Sequence, residues 1–99
     1  MANSKLTVRE ASEADLAWCL SNDGHLDEAA LLSKIRAGEI MVAESDGALA
    51  GLLRFDLMWS AVPFIAQLRV LEGYRRRGVG QALLRQIEEV ATARGSIPN

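Results

Sequence analysis

Three consecutive arginines lead directly into two glycines in the segment Gly73–Leu84, GYRRRGVGQALL. From Val79 to about Arg94, apolar residues recur at helical spacing, which predicts an amphipathic helix. The first N–H groups of a helix lack intrahelical acceptors, and the helix dipole adds partial positive charge there. Glycine lets an anion approach the backbone, and arginine adds charge-assisted hydrogen bonds. The segment therefore predicts a phosphate site rather than a merely solvated basic patch.

Two other phosphate-binding patterns do not fit this segment. The pattern G-x-x-x-x-G-K-[ST] of nucleotide triphosphatases is absent from the chain. The pattern G-x-G-x-x-G of dinucleotide-binding enzymes fails because Leu83 stands where the third glycine belongs, and the segment is not part of a parallel strand-helix-strand unit. We therefore expect neither a P-loop enzyme nor an NAD enzyme.

The charge of the chain is unevenly distributed. Its net charge is -2 and its pI about 5.3, yet residues 75–99 carry 5 arginines against 2 glutamates, whereas residues 1–74 carry 6 basic and 11 acidic residues. Anionic ligands should therefore bind to the C-terminal quarter of the chain. Because the net charge is acidic and no aromatic residues alternate with the arginines, we expect no nucleic-acid partner.

The composition is that of one soluble globular domain over residues 1–99, with 49% hydrophobic and 24% charged residues. No apolar run approaches the ~20 residues of a membrane span, and the start of the chain lacks a secretory core, so we expect no membrane contact and a cytoplasmic location. The single cysteine, Cys19, is expected to be a core thiol of an intracellular protein. We expect no metal site.

The first part of the chain predicts one strand and two helices. Ser12, with Asp15 three residues later, forms a variant of the capping box that starts the first helix. Turn-forming residues at Ser21–Gly24 end this helix, and Gly38 ends the second. The predicted strand covers Leu6–Arg9, and the predicted second helix covers Leu26–Ala37.

Three further strands follow. Glu39–Glu44 and Ala48–Leu57 flank an Asp46-Gly47 dipeptide, which is typical of a tight hairpin. In the second of these strands Leu53, Phe55 and Leu57 alternate with Arg54 and Asp56, so one face should be buried while the other meets solvent or a ligand. After a connection at Met58–Pro63, Phe64–Leu71 reads as another strand, and its Phe64, Ala66, Leu68 and Val70 should share one core-facing side.

The predicted element order is β-α-α-β-β-β-α. This order belongs to an α/β protein of the α+β type, in which a mostly antiparallel sheet is flanked by helices.

The arginine-glycine segment resembles the acetyl-coenzyme A signature of the GNAT N-acetyltransferases. That signature has the spacing [R/Q]-x-x-G-x-[G/A], which Arg75, Gly78 and Gly80 fill here, and it is preceded by the strand Leu68-Arg69-Val70. The two helices between the first strands and the Asp46-Gly47 hairpin also match. The resemblance covers essentially all 99 residues and implies the N-terminal portion of a GNAT fold.

The resemblance implies a set of coenzyme-binding residues. Main-chain N–H groups at the helix start would hold the coenzyme diphosphate, with Arg75 and Arg76 adding charge at its rim. The main chain of Leu68 and Val70 would pair with the pantetheine arm and polarise the thioester carbonyl, which is an oxyanion-hole role. The diphosphate-binding main chain would run through Arg76, Arg77, Gly78, Val79 and Gly80, with Gln81 next.

The implied activity is acetyl transfer from acetyl-coenzyme A to an amine-bearing acceptor by direct attack in a ternary complex. Some family members place a glutamate base near the start of the motif strand, where this chain has Phe64, so no catalytic residue is assigned. Asp56 and Glu72 are bases by chemistry alone, whereas His25, the single imidazole, reads either as a surface polar residue or as a base. Trp18, Met58 and Trp59 read either as an acceptor wall or as packing residues.

The family fold continues past this helix into another strand and a further helix, a part that commonly supplies a tyrosine acid, whereas this chain stops at Ser96–Asn99. The strand Phe64–Leu71 is then expected to have an open edge that pairs with a second copy, giving a homodimer or a swapped assembly, unless the chain is a truncated domain. The alternative function is a catalytically inactive, truncated GNAT-like domain that binds coenzyme A or serves as an interaction or regulatory module.

Overall fold

The computed structural model describes residues 5–59 and 62–93, in which four strands and three α-helices form one antiparallel sheet with helices on both faces. This architecture confirms the predicted fold class and element order. The strands are β1 (Leu6–Glu10), β2 (Ile40–Ser45), β3 (Ala48–Met58) and β4 (Val62–Val70), and they lie side by side in that order. The helices are α1 (Leu16–Asp23), α2 (Glu28–Arg36) and α3 (Val79–Ala93), with 3-10 turns at Glu13–Asp15 and Glu72–Tyr74.

The ends of α1 and α2 differ from the sequence prediction by a few residues. Asp15 accepts a hydrogen bond of 2.8 Å from the backbone N–H of Ser12, so the predicted capping box is present. Helix α1 continues through the turn formers to Asp23 and ends at Gly24, whose φ is 80°. Helix α2 begins later than predicted, because Asp27 caps it by accepting from the N–H of Ala30 at 2.9 Å.

The hairpin between β2 and β3 turns at the predicted dipeptide. Asp46 has a φ of 53° and Gly47 a φ of 86°, which are the left-handed values that a two-residue hairpin turn requires. The prediction of an Asp-Gly hairpin is confirmed.

Both faces of the sheet are covered by helices. Helix α3 packs over one face, where Met41, Leu53 and Phe55 are buried against Leu83 and neighbouring residues. Helices α1 and α2 pack over the other face. The prediction that Arg54 meets solvent or a ligand is wrong: Arg54 is 6% exposed and lies under α1, because it is paired with an acidic residue there.

A β-bulge divides β4 into two halves. Arg54 is opposite Gln67 but Phe55 is opposite Ile65, so Ala66 is the extra residue. Because side chains alternate along a strand, the bulge places Phe64 on the opposite face from Leu68 and Val70, and the prediction of one shared face is wrong. Leu68 is also 39% exposed, so the prediction that its side chain belongs to the core is wrong as well.

Gly51 in β3 lies where α3 crosses the sheet. A Cβ atom at this position would be 2.8 Å from the carbonyl oxygen of Arg69, 3.1 Å from Val79 Cγ1 and 3.3 Å from Leu83 Cδ1. The absence of a side chain therefore allows α3 to pack closely on the sheet. Gly51 is also the partner of Val70 in the β3-β4 ladder, so the same position connects α3 to β4.

Other sequence predictions fall beyond these residues. The predicted end of the last helix at Arg94 and Gly95, the segment Ser96–Asn99 and the connection residues Ser60 and Ala61 lie outside the described residues. Among the helices of residues 5–59 and 62–93, none is both long and apolar enough to cross a membrane.

Candidate functional site

The turn between β4 and α3 exposes a row of main-chain donors. The first helical hydrogen bond of α3 runs from the N–H of Ala82 to the carbonyl of Gly78 at 2.9 Å. The four N–H groups from Gly78 to Gln81 therefore precede the helical ladder and are available to an acceptor outside the helix. Arg76 and Gly78 have φ values of 66° and 80°, and these left-handed residues fold the turn back onto the helix start.

A cleft of about 430 Å³ opens in front of these donors. A Cβ atom added to Gly80 would be 3.7 Å from Val70 Cγ2, so a methyl group fits there in ordinary contact but a longer side chain would extend into the cleft. Seven of the nine residues predicted to bind coenzyme line this cleft, the exceptions being Leu68 and Arg77. The lining consists of Val70, Tyr74, Arg75, Arg76, Gly78, Val79, Gly80 and Gln81.

Arginine side chains bring positive charge to the cleft: Arg75 and Arg76 line it, and Arg77 belongs to the same turn. Arg75 Nε donates to the carbonyl oxygen of Val70 at 3.3 Å, and the guanidinium of Arg77 lies 5.7 Å from the centre of the Tyr74 ring. The ion pairs found among the described residues use Arg9, Lys34, Arg36 and Arg54 as their cations. Within residues 5–59 and 62–93, Arg75, Arg76 and Arg77 therefore have no carboxylate partner, and their charge adds to that of the helix start.

The outer edge of β4 presents further main-chain groups beside the cleft. The N–H of Leu71 donates inward to Ala50 at 2.9 Å. Because successive residues of an antiparallel strand alternate between the two edges, Val70 and Leu68 direct their main-chain groups away from β3. A second cleft of about 390 Å³ adjoins this edge and shares Val70 and Arg75 with the first.

Gln67 is a residue of this edge that sequence reasoning missed. Its Oε1 accepts from the N–H of Leu68 at 3.2 Å, while its Nε2 donates to the carbonyl oxygen of Asp23 at 2.7 Å and lies 3.2 Å from Nδ1 of His25. No signal in the sequence indicates the contacts with Asp23 and His25, since they join positions more than 40 residues apart. Gln67 thus connects the outer edge of β4 to the loop between α1 and α2.

A buried ion pair holds the start of the same loop. The Asp23 carboxylate accepts from Arg54 Nε at 2.7 Å and from Arg54 Nη2 at 3.3 Å, and the side chains are 0% and 7% exposed. It also accepts from the N–H of His25 at 3.0 Å. Burial alone would raise the pKa of the Asp23 carboxyl, but the bonds from Arg54 and from the backbone of His25 outweigh it and hold the pKa below its usual value.

The residues considered as bases are spread over the molecule. His25 is exposed and lies beside Gln67, whereas Asp56 is paired with Lys34 away from the clefts. Glu72 is exposed in the turn before the cleft, and Phe64, where a glutamate base was considered, is 56% exposed. The structure therefore brings only His25 into contact with a residue of the β4 edge that carries Leu68.

The remaining predicted residues have simpler roles. Trp18 packs against the core between α1, α2 and the sheet, while Met58 and Trp59 are 40% and 84% exposed at the end of β3. Trp18 thus fits the packing alternative, whereas Met58 and Trp59 are exposed. Burial, with the carboxylates of Asp15 and Asp23 nearby, raises the pKa of the Cys19 thiol to about 11, so Cys19 is a protonated core residue.

Comparison of the sequence with protein families gives one match over nearly the whole chain. The profile described as Acetyltransferase (GNAT) family matches residues 8–98. Mycothiol acetyltransferase of Geodermatophilus obscurus is 43% identical over 53 residues, which are 54% of this chain and 17% of that protein. The chain therefore spans about a sixth of the length of this curated relative.

Solved structures share the fold at low sequence identity. N-acetylglutamate synthase from Neisseria gonorrhoeae, complexed with coenzyme A and N-acetyl-glutamate, superposes with a TM-score of 0.82 at 23% identity, covering 95% of this chain and 24% of that one. The PaiA N-acetyltransferase from Thermoplasma acidophilum, in complex with coenzyme A, gives a TM-score of 0.79 at 16% identity, covering 92% of this chain and 74% of that one. The identities are low enough that these likenesses describe the fold alone.

Proposed function

The chain belongs to the GNAT acetyltransferase family, and on that basis we propose that it transfers an acetyl group from acetyl-coenzyme A to an amine by direct attack. One observation carries the proposal: the free N–H groups at the start of α3 and the outward main-chain groups of β4 meet at two adjoining clefts. The first set suits a diphosphate, and the second suits an extended chain with amide groups. Coenzyme A contains both groups, a diphosphate followed by the amide-containing pantetheine arm.

The start of α3 would hold the diphosphate of the coenzyme. Main-chain N–H groups from Arg76 to Gly80, with Gln81 next, would donate to its oxygens, and the side chains of Arg75 and Arg76 would add charge at the rim. Gly78 allows the left-handed turn, and Gly80 keeps the floor of the cleft open. This assignment uses backbone donors that the helix itself leaves unpaired.

The outer edge of β4 would hold the pantetheine arm. Val70 and Leu68 would pair with its amide groups as a neighbouring strand does, and the N–H of Leu68 would donate to the thioester carbonyl oxygen. A donor at this position stabilises the negative charge that develops as the amine attacks the carbonyl carbon. In the described structure Gln67 Oε1 accepts from this N–H, so the thioester would replace that contact.

The transfer needs no nucleophilic side chain. The amine nitrogen bonds to the carbonyl carbon, the carbon-sulfur bond breaks, and coenzyme A leaves with a proton. The protein would contribute chiefly proximity and orientation, while the proton that the acceptor ammonium must lose before its neutral amine attacks leaves through ordered water. The alternative is a domain that binds coenzyme A without transferring the acetyl group.

Titration calorimetry with coenzyme A and with acetyl-coenzyme A tests the binding step. We expect a dissociation constant of about 1 µM to 1 mM, the range typical of enzyme substrates. A thiol-release assay against a panel of amines then tests transfer. Binding followed by amine-dependent release supports the acetyltransferase, binding without release supports the alternative, and no binding at millimolar ligand rejects both.

The outer edge of β4 also supports self-association as a second part of the proposal. Among the described residues β4 has a neighbour on one side only, and Phe64 and Ile65, in the half of the strand before the bulge, are 56% and 40% exposed. An unpaired edge with apolar side chains favours pairing with another strand, here the same half of β4 in a second copy, so that Leu68 and Val70 stay free for the pantetheine arm. We expect a dimer in sedimentation velocity at micromolar concentrations. A compact monomer at high concentration would rule out this part of the proposal without affecting coenzyme binding.

A further inference from the structure

Gln67 occupies the main-chain donor that the proposed reaction needs. Its Oε1 lies 3.2 Å from the N of Leu68, the N–H group assigned to the thioester carbonyl. We infer that Gln67 is a positioning residue that couples occupation of the Leu68 N–H to the loop between α1 and α2. The inference rests on the proposed function, since it concerns the same thioester site.

The side chain of Gln67 joins two parts of the molecule that are distant in sequence. It lies on the face of β4 that α1 covers and reaches around the strand edge to the neighbouring N–H. Its Nε2 donates at 2.7 Å to the carbonyl of Asp23, the last residue of α1, whose carbonyl has no acceptor role inside the helix. The same nitrogen lies 3.2 Å from Nδ1 of His25. One amide group therefore contacts both the donor site and the loop.

The loop end of this connection is firmly held. The Asp23 carboxylate is fixed by the buried Arg54, and Arg54 is the cross-strand partner of Gln67 in the β3-β4 ladder. Asp23 is thus bound from two sides, through its carboxylate by Arg54 and through its carbonyl by Gln67. Because these bonds hold Asp23 in place, a movement of the Gln67 side chain should instead displace the exposed imidazole of His25.

The coupling predicts a difference between acetyl-coenzyme A and coenzyme A. A thioester carbonyl must displace Gln67 Oε1 to reach the Leu68 N–H, whereas coenzyme A with a free thiol has no carbonyl to place there. The released Gln67 side chain then loses one of its contacts and repositions against His25. Acetyl-coenzyme A and coenzyme A should therefore differ in their effect on the loop, although they share every other group.

Two substitutions of opposite effect test the inference by calorimetry. Gln67→Leu removes the competing oxygen, so we expect the affinity for acetyl-coenzyme A, relative to coenzyme A, to rise about three- to tenfold. Gln67→Glu keeps an acceptor on the Leu68 N–H and charges it, so the same ratio should fall by a similar factor. Any general effect of the new charge on the phosphates is shared by both ligands and cancels in the ratio.

Gln86→Leu is the matched control, since it makes the same chemical change at a residue of α3 that lines neither cleft. Its ratio should equal that of the wild type. If both Gln67 variants leave the ratio unchanged, or move it in the same direction, Gln67 is only structural and the inference is wrong. Failure of either ligand to bind the wild type would instead reject the proposed function.

Nuclear magnetic resonance of the single imidazole gives the second readout. In the wild type, acetyl-coenzyme A should shift the His25 ring resonances and coenzyme A should leave them nearly unchanged. In Gln67→Leu the two ligands should have the same effect, because the connecting amide is gone. Equal shifts by both ligands in the wild type would overturn the coupling.

Discussion

Replacing Asp23 with alanine is expected to lower the free energy of unfolding by about 3 to 5 kcal/mol. The reason is the buried guanidinium of Arg54, which would remain in the interior without the carboxylate that now accepts from it at 2.7 Å. The N–H of His25 would lose its acceptor as well. For a domain of this size such a loss is a large part of the total stability. Urea unfolding followed by circular dichroism measures it.

The exposed ion pair of Glu13 with Arg36 provides the control. Its side chains are 60% and 62% exposed, so Glu13→Ala should cost no more than about 1 kcal/mol. A double replacement, Asp23→Leu with Arg54→Met, should be less destabilising than Asp23→Ala, because no charge is then left unpaired. If Asp23→Ala unfolds at the same urea concentration as Glu13→Ala, the buried pair does not have the assigned role.

The same pair gives a pH dependence of defined sign. Because the pKa of the Asp23 carboxyl is lower in the folded than in the unfolded protein, its contribution is complete above the unfolded pKa, about 4, and is lost as the pH falls toward the folded value. The difference in stability between the wild type and Asp23→Ala should therefore shrink below about pH 4.

Replacing Gly80 with phenylalanine is expected to weaken coenzyme A binding at least about 100-fold while the domain stays folded. Gly80 lies on the floor of the 430 Å³ cleft, and a Cβ there is 3.7 Å from Val70 Cγ2, so the ring must enter the space proposed for the diphosphate. Stability should change by no more than about 1 kcal/mol, since glycine has a low helix propensity and the position is partly open. Calorimetry and thermal unfolding measure the two effects.

Two control variants distinguish an effect of blocking the cleft from a general effect of adding a large side chain. Gly80→Ala adds only the methyl group that fits, so it should bind coenzyme A within a few-fold of the wild type. Gly73→Phe places the same ring in the preceding turn, where nothing lies within 4 Å of the added Cβ, and should leave binding unchanged. Normal binding by Gly80→Phe would show that the start of α3 is not the diphosphate site.

Features that depend on neighbouring residues in the sequence could be predicted. The Asp46-Gly47 hairpin follows from local backbone preference, and the helix behind Gly80 follows from the spacing of its apolar residues. Seven of the residues that line the first cleft were named from the resemblance to the family signature, and most of them lie together because they belong to one continuous turn and helix start. That they bind coenzyme stays a prediction.

Features that depend on contacts between residues far apart in the sequence could not be predicted. The bulge at Ala66 arises from the register between β3 and β4, and alternation alone cannot place an extra residue. The pairing of Arg54 with Asp23 joins positions 31 residues apart, so the alternating pattern of β3 made Arg54 look solvent-exposed. The contacts of Gln67 with Asp23 and His25 require both the bulged strand and the end of α1 to be in place.

Gly51 determines how a ligand with two anchoring groups would be held. Its missing side chain sets the distance of α3 from β3, and its pairing with Val70 sets the position of β4. The start of α3 and the outer edge of β4 therefore stand at one fixed separation. When a ligand engages one of them, the second contact forms at an effective concentration that this separation determines. If the proposed function holds, a displaced α3 would therefore weaken coenzyme binding without altering either contact.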